Sequence, residues 1–178
     1  AEAPPSGMHA IPLATVTPES LQPPEISNDL LFNTRLEDLQ EYLSAVDQAA
    51  ASSTRAEFMA NRREKLKAYL TDMHSPFLSE ADTIAEQPHW KLILAISFAE
   101  STLGKRCYMY NCSGIGGSNI KTYDSLQSWI EDFNDLLERR YKDKTLEQMC
   151  GVYVQPCNPN WLLATKQVLT DLKERGIE

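Results

Sequence analysis

No hydrophobic run in this chain approaches the roughly 18 to 20 residues needed to span a bilayer, so no transmembrane segment is expected. Positive charge is also scarce, with 17 Lys and Arg against 25 Asp and Glu, a formal charge of -8. That balance argues against nucleic acid as a partner, because phosphate recognition runs on clustered Lys and Arg. It says little about a neutral or mixed-charge polymer. The three histidines, His9, His74 and His89, have no metal-ligand spacing, so neither a metal nor an organic cofactor is expected. A Gly-x-Ser-x-Gly element is missing, which removes the usual frame for a serine nucleophile. Gly114-Ile115-Gly116-Gly117-Ser118-Asn119 lacks the Lys-Ser/Thr that grips phosphate and magnesium. Ala1-Glu2-Ala3-Pro4-Pro5 has neither a basic start nor an apolar stretch, so no signal peptide is visible there.

What the chain does have is enough apolar material for one ordinary globular domain with some extra: 178 residues, 42% hydrophobic, with three Trp, seven Tyr and five Phe. Its four cysteines, Cys107, Cys112, Cys150 and Cys157, form two close pairs. An even number so placed suits two disulfides and an oxidising, extracytoplasmic compartment: periplasmic, wall-associated or secreted. Three pairings are possible, of which the local one, Cys107 with Cys112 and Cys150 with Cys157, is the simplest. Spacings of five and seven do not resemble zinc-ribbon knuckles.

Residues 1–28 hold six of the ten prolines and no periodic pattern, and read as a tail or linker. From Asn28 to about Ala51 the residues Phe32, Leu36, Leu39, Leu43, Val46 and Ala50 step by three and four, the seam of an amphipathic helix. That seam packs on its own chain or serves residues 29–51 in self-association or partner binding. A second helix is expected from Thr54 to about Met73, making a helical hairpin over 29–74 that ends at Ser75-Pro76. Further helices are expected over 79–87 with Ser79 as cap, and over about 89–103 with Pro88 at its start and Gly104 stopping it. Another follows Asp124 as cap with Gln127 completing a capping box, then a short one at Leu146–Met149, and a last one from Asn158-Pro159 to about Glu174. No alternating strand segment stands out, so the fold class is mainly α.

The stretch Trp90-Lys91-Leu92-Ile93-Leu94-Ala95-Ile96-Ser97-Phe98-Ala99-Glu100 is a nearly all-apolar helix ending in a single carboxylic acid. A carboxyl at the rim of an apolar core has its charged form disfavoured and its pKa raised. Such a residue stays protonated near neutral pH and can donate a proton. Glu100 is therefore the candidate general acid. The glycines at 114, 116 and 117 make a turn whose backbone a ligand can approach closely.

Ala99-Glu100-Ser101-Thr102-Leu103-Gly104-Lys105, followed by Asn111-Cys112-Ser113-Gly114-Ile115-Gly116-Gly117, resembles the glucosaminidase family of peptidoglycan hydrolases. That family carries an apolar helix ending in Glu-Ser-x-x-Gly-Lys and then Asn-x-Phe-Gly-Ile-x-Gly. The similarity continues through Tyr123-Asp124-Ser125, Tyr153 and Asn158-Pro159-Asn160-Trp161, in order, over about residues 65–174. The resemblance implies a lysozyme-like α lobe over 75–178 with a reduced β lobe. It also implies cleavage of β-1,4 links between amino sugars, as N-acetylglucosaminidase, muramidase or lytic transglycosylase. Glu100 would be the acid, peptidoglycan glycan strands the partner, and Asn111, Ser113, Gly114, Ile115, Gly116 and Tyr153 the residues that hold the sugar.

The chain departs from the family pattern at two points. Ser113 stands where the family has Phe, and Gly116 where it has a longer residue. Only Ser118 to Thr122 separate the glycine turn from Tyr123, where the family inserts a β-rich lobe bearing a second carboxylate. A two-carboxylate glycosidase needs that partner at roughly 5 to 9.5 Å. Asp124 is the nearest candidate, with helix capping as its competing role. Either one acid suffices, or the fold persists as a non-catalytic wall-binding or assembly module.

Overall fold

The structure, a computed structural model, describes residues 28–178, with side chains from 39 onward. All but the last residue of the expected proline-rich tail lie outside the described residues. The described residues divide into two units, 28–48 and 49–178. Among the described residues the protein is mainly α, with six α-helices and, in place of strands, one isolated antiparallel bridge between Tyr108 and Asn111.

Helix α1 runs Asn28–Asp72, 45 residues without interruption. The expected hairpin is therefore corrected to a single helix: Ala51, Ser52 and Ser53 are helical, and Thr54 Oγ1 donates to the Ala50 carbonyl at 3.0 Å. Serines and threonine lower helix propensity by only a few tenths of a kcal/mol each, and without Gly or Pro nothing forces a break. In the first unit the seam residues Leu39, Leu43 and Val46 are exposed. The side chains of Phe32 and Leu36 lie outside the described residues. In the second unit the same helix buries Leu66, Tyr69 and Leu70, while Phe58 stays exposed.

The rest of the second unit is a helical cluster around one apolar axis. A 3₁₀ turn, Pro76–Glu80, is capped by Ser75, whose Oγ accepts from the Phe77 amide at 3.1 Å. Ser79 therefore lies inside this turn and is not the cap the sequence suggested. Helix α2 (Ala81–Glu86) follows, then α3 (Trp90–Ser101), which begins two residues after Pro88. Ile93, Leu94, Ala95 and Ile96 are fully buried on α3, each large side chain worth roughly 1.5–3 kcal/mol by its burial. Helix α4 (Leu126–Arg140) supplies Trp129 and Phe133, stacked with Phe77 in a row at 5.2 and 5.7 Å. Helices α5 (Leu146–Tyr153) and α6 (Pro159–Glu174) complete the cluster, and α3 packs most extensively against α6.

The end of α3 is set by an abrupt reversal. Thr102, Leu103 and Gly104 all have left-handed backbone, φ 56°, 53° and 85°. For the two non-glycine residues this costs roughly 1–2 kcal/mol each and persists only where the surroundings insist on it. Leu103 is buried and its carbonyl accepts from Ser75 Oγ at 2.7 Å. Gly104 has no alternative, because a Cβ there would sit 2.5 Å from the Phe77 ring. Both disulfides have the local pairing, Cys107–Cys112 and Cys150–Cys157.

Candidate active site

The α3–α6 contact places one carboxylic acid against one indole. Glu100 lies in the last turn of α3, half-buried, and its Oε1 accepts from Trp161 Nε1 at 2.9 Å. Trp161 is held in the first turn of α6, which Asn158 caps by accepting from the Asn160 amide at 2.9 Å and Pro159 opens. Burial pushes the Glu100 carboxyl above its ordinary range, and the Trp161 hydrogen bond pulls it only part of the way back. The other oxygen, Oε2, faces Gly114, where a Cβ would stand 3.6 Å away.

The glycine turn opposite the acid is tied down from three directions. Asn111 Nδ2 donates to the carbonyls of Ile115 and Lys121, both at 2.8 Å, and its Oδ1 accepts from the amides of Ser113 at 3.3 Å and Ile115 at 3.2 Å. Two donors and two lone pairs are then all engaged, so Asn111 holds the turn and has no polar capacity left for a ligand. Ser113 is buried; its Oγ accepts from Trp129 Nε1 at 3.0 Å and its carbonyl from the Tyr153 hydroxyl. This accounts for serine where the resemblance led to Phe: the fully buried Trp129 indole needs an acceptor, and a phenyl ring has none. Gly116 (φ 103°) is obligatory, since a Cβ there would fall 2.1 Å from the Asn119 carbonyl oxygen.

Tyr153 links turn and acid. Its ring stacks on Trp161, with centroids 5.8 Å apart and 28° between planes, and meets Tyr141 edge-on at 5.7 Å. Burial pushes its hydroxyl far above the ordinary tyrosine range, so it remains a neutral donor to Ser113. Two hollows lie here, one on the carboxyl and one on the glycine turn. One, of about 390 Å³, is lined by Phe98, Glu100, Thr102, Val154, Asn158, Asn160 and Trp161 among others. The second, of about 350 Å³, is lined by Gly114 to Gly117, Leu136, Arg140, Tyr141 and Tyr153. Glu100 is the only acid lining the first, and no acid lines the second.

The chain matches no protein-family model, no curated protein and no solved structure.

Of the residues picked out in the sequence, the structure brings together Glu100, Gly114, Ile115, Gly116 and Tyr153, with Asn111 and Ser113 behind them as supports. Asp124 is exposed and lines neither hollow. It is not the cap of α4 either: Ser125 Oγ accepts from the Ser128 amide at 3.1 Å, and the Ser128 hydroxyl accepts from the Ser125 amide at 3.3 Å. Serine at 125 competes for the same role one residue closer to the helix, and both hydroxyls reach. Sequence reading missed Trp161 as the acid's partner. It sits on an apolar helix face, where an indole reads as core; the available signal was a lone N–H donor in the first turn of a helix packed on α3. Among the described residues, no group of three or more His, Cys, Asp or Glu is gathered as for a metal. None of the described helices is long and apolar enough to cross a membrane.

Proposed function

We propose that this protein cleaves the glycan strands of peptidoglycan outside the cytoplasm, through a lysozyme-like α lobe with Glu100 as general acid. One observation carries the reading: a half-buried carboxyl of raised pKa, fixed at Oε1 by an indole N–H and facing the glycine turn with Oε2. An indole nitrogen only donates, so Oε1 is held as the acceptor and the acid's proton belongs on Oε2. That proton then faces the bare backbone of Gly114, where no side chain blocks the approach to Oε2. Transfer from Oε2 to the glycosidic oxygen releases the leaving sugar and leaves an oxocarbenium-like centre on the other. Glu100 is the sole acid lining its hollow and no acid lines the one at the glycine turn, which favours capture of that centre by the sugar's own hydroxyl, or by water, its proton passing back to the Glu100 carboxylate, without a second carboxylate. The chemistry draws on no metal or organic cofactor, and the paired cysteines fit an oxidising compartment.

The second reading is a non-catalytic wall-binding or assembly module. The exposed Leu39, Leu43 and Val46 on the first unit favour it, since such a seam serves a partner helix or a second copy of this chain. Mass spectrometry of muropeptides released from purified peptidoglycan by the wild type and by Glu100→Gln separates the two. Products that depend on Glu100 are expected, their reducing or anhydro ends distinguishing hydrolysis from transglycosylation. No products from either folded protein would leave the module reading standing.

A further inference from the structure

We propose that the disulfide-closed loop from Cys107 to Cys112 is a glycan-stacking platform extending the cleft, with Tyr108, Met109 and Tyr110 as its contact face; this rests on the glycan reading above. Three consecutive large side chains are turned to solvent here, 55%, 60% and 48% exposed. Folding gains little from such exposure, so the loop's apolar face is unexplained by the core.

The backbone makes the choice of residues more pointed. Met109 and Tyr110 have left-handed φ of 43° and 60°, a conformation that glycine or asparagine adopts at far lower cost. A tight turn alone would be better served by those residues. Bulky side chains at these φ values are a feature of sites where the side chain itself is needed.

The platform is rigid and continuous with the acid's surroundings. The Cys107–Cys112 bond closes the loop, and the Tyr108 and Asn111 backbones exchange hydrogen bonds at 3.1 and 2.8 Å. The Met109 carbonyl accepts from the Tyr123 amide at 3.1 Å. Asn111 belongs to both structures: it closes this loop through its backbone and shapes the glycine turn through its side chain. Gly114, against Glu100 Oε2, is four residues beyond Tyr110, so the two α-carbons are at most about 14 Å apart. A polymer lying over the carboxyl is within reach of the loop.

The occupant we commit to is a glycan rather than a lipid surface. Tyrosine offers a ring face to the C–H face of a pyranose and a hydroxyl to its polar edge, at a low cost in side-chain freedom. The chain's formal charge of -8 disfavours an anionic bilayer, and the two exposed cations beside the loop, Lys105 and Arg106, fall short of the basic clusters that bind one, whereas the sugar backbone is uncharged. Locking the aromatics in place before binding removes much of the ordering cost that a mobile loop would carry.

The test uses the full chain with Glu100→Gln, so that bound polymer is not consumed. It compares this parent with a version that also carries Tyr108→Ser and Tyr110→Asn, asparagine being chosen because it accepts the left-handed backbone. Co-sedimentation with purified peptidoglycan sacculi should show affinity at least about tenfold weaker for the loop variant, with the thermal midpoint of unfolding no lower. Equal retention of the two overturns the platform, and muropeptide release by the wild type would in that case leave the glycosidase reading intact. Loop-dependent retention with no release at all keeps the platform and removes the glycosidase. Loop-dependent binding to vesicles of phosphatidylglycerol and phosphatidylcholine, with sacculus binding indifferent to the loop, overturns the proposal in favour of a membrane surface.

Discussion

Three alanine substitutions in one turn separate the needs of the fold from those of the acid. Gly114, Gly116 and Gly117 have φ of 69°, 103° and 55°, so each imposes left-handed backbone on an incoming alanine, at roughly 1–2 kcal/mol. At Gly117 a Cβ meets nothing within 4 Å, so Gly117→Ala should cost that strain alone. At Gly114 the first neighbour is Glu100 Oε2 at 3.6 Å, an ordinary contact, so Gly114→Ala should lose the same stability. For a unit of this size about 1 kcal/mol lowers the unfolding midpoint by about 3–5 °C. Gly116 differs, because its Cβ would lie 2.1 Å from the Asn119 carbonyl oxygen and 2.8 Å from the Lys121 amide nitrogen. Neither is the end of a flexible side chain, so the turn must open. The amide of Asn119 to the Gly116 carbonyl and the amide of Lys121 to the Ile115 carbonyl, both 2.9 Å, are then lost at about 1 kcal/mol each. With the strain, Gly116→Ala should cost about 3 kcal/mol or more. Thermal unfolding followed by circular dichroism gives the stability order. Muropeptide release gives the functional one: Gly114→Ala should lose at least about tenfold in rate while Gly117→Ala keeps most of it, since a methyl in contact with Oε2 occupies the approach that the substrate oxygen needs. Equal rates for Gly114→Ala and Gly117→Ala would refute the claim that Oε2 faces the substrate. Equal midpoints for Gly116→Ala and Gly117→Ala would refute the geometry of the turn.

Glu100→Gln should stabilise the protein at neutral pH relative to acid pH. The folded state raises this carboxyl's pKa, so its contribution is most favourable below the unfolded value and is lost as pH rises through the folded one. Glutamine escapes that loss and keeps an acceptor for Trp161. Unfolding midpoints of wild type and variant, compared at acid and neutral pH, should diverge as pH rises, and a constant gap would contradict the burial argument. Trp161→Phe removes the only indole N–H on Glu100 while retaining a ring against Tyr153. The hydrogen bond favours the ionised form, so its loss should move the alkaline fall of the pH–rate profile to higher pH while lowering the maximal rate. An unmoved profile would place the catalytic proton elsewhere.

The place of Glu100 at the end of a buried helix was legible because the apolar run before it has to be interior and stops at that acid. The local disulfides were legible because cysteines five and seven residues apart are already close along the chain. Less readable were the helix boundaries. Between 51 and 54 the small residues permit both a turn and a helix, and local propensity differs too little to decide. At the start of α4, Asp124 and Ser125 are both good caps, and only the path of the preceding loop selects Ser125. Asn111 was picked as a sugar contact, yet an amide with four hydrogen-bonding sites is as well suited to pinning a glycine turn, which is how it is used here.

The sequence by itself determined a mainly helical protein, its buried α3 axis and the acid at that axis's end, because periodicity, apolar runs and glycine stops act over a few residues at a time. Tertiary structure alone decided which group holds that acid, since Glu100 and Trp161 are 61 residues apart and meet only through the packing of α3 on α6. It likewise decided that Ser113 answers Trp129 and Tyr153, and that Tyr108, Met109 and Tyr110 are left outside the core. Residue type prices a side chain for water or for an apolar interior. Which surface it meets is fixed only when helices far apart in the chain come together.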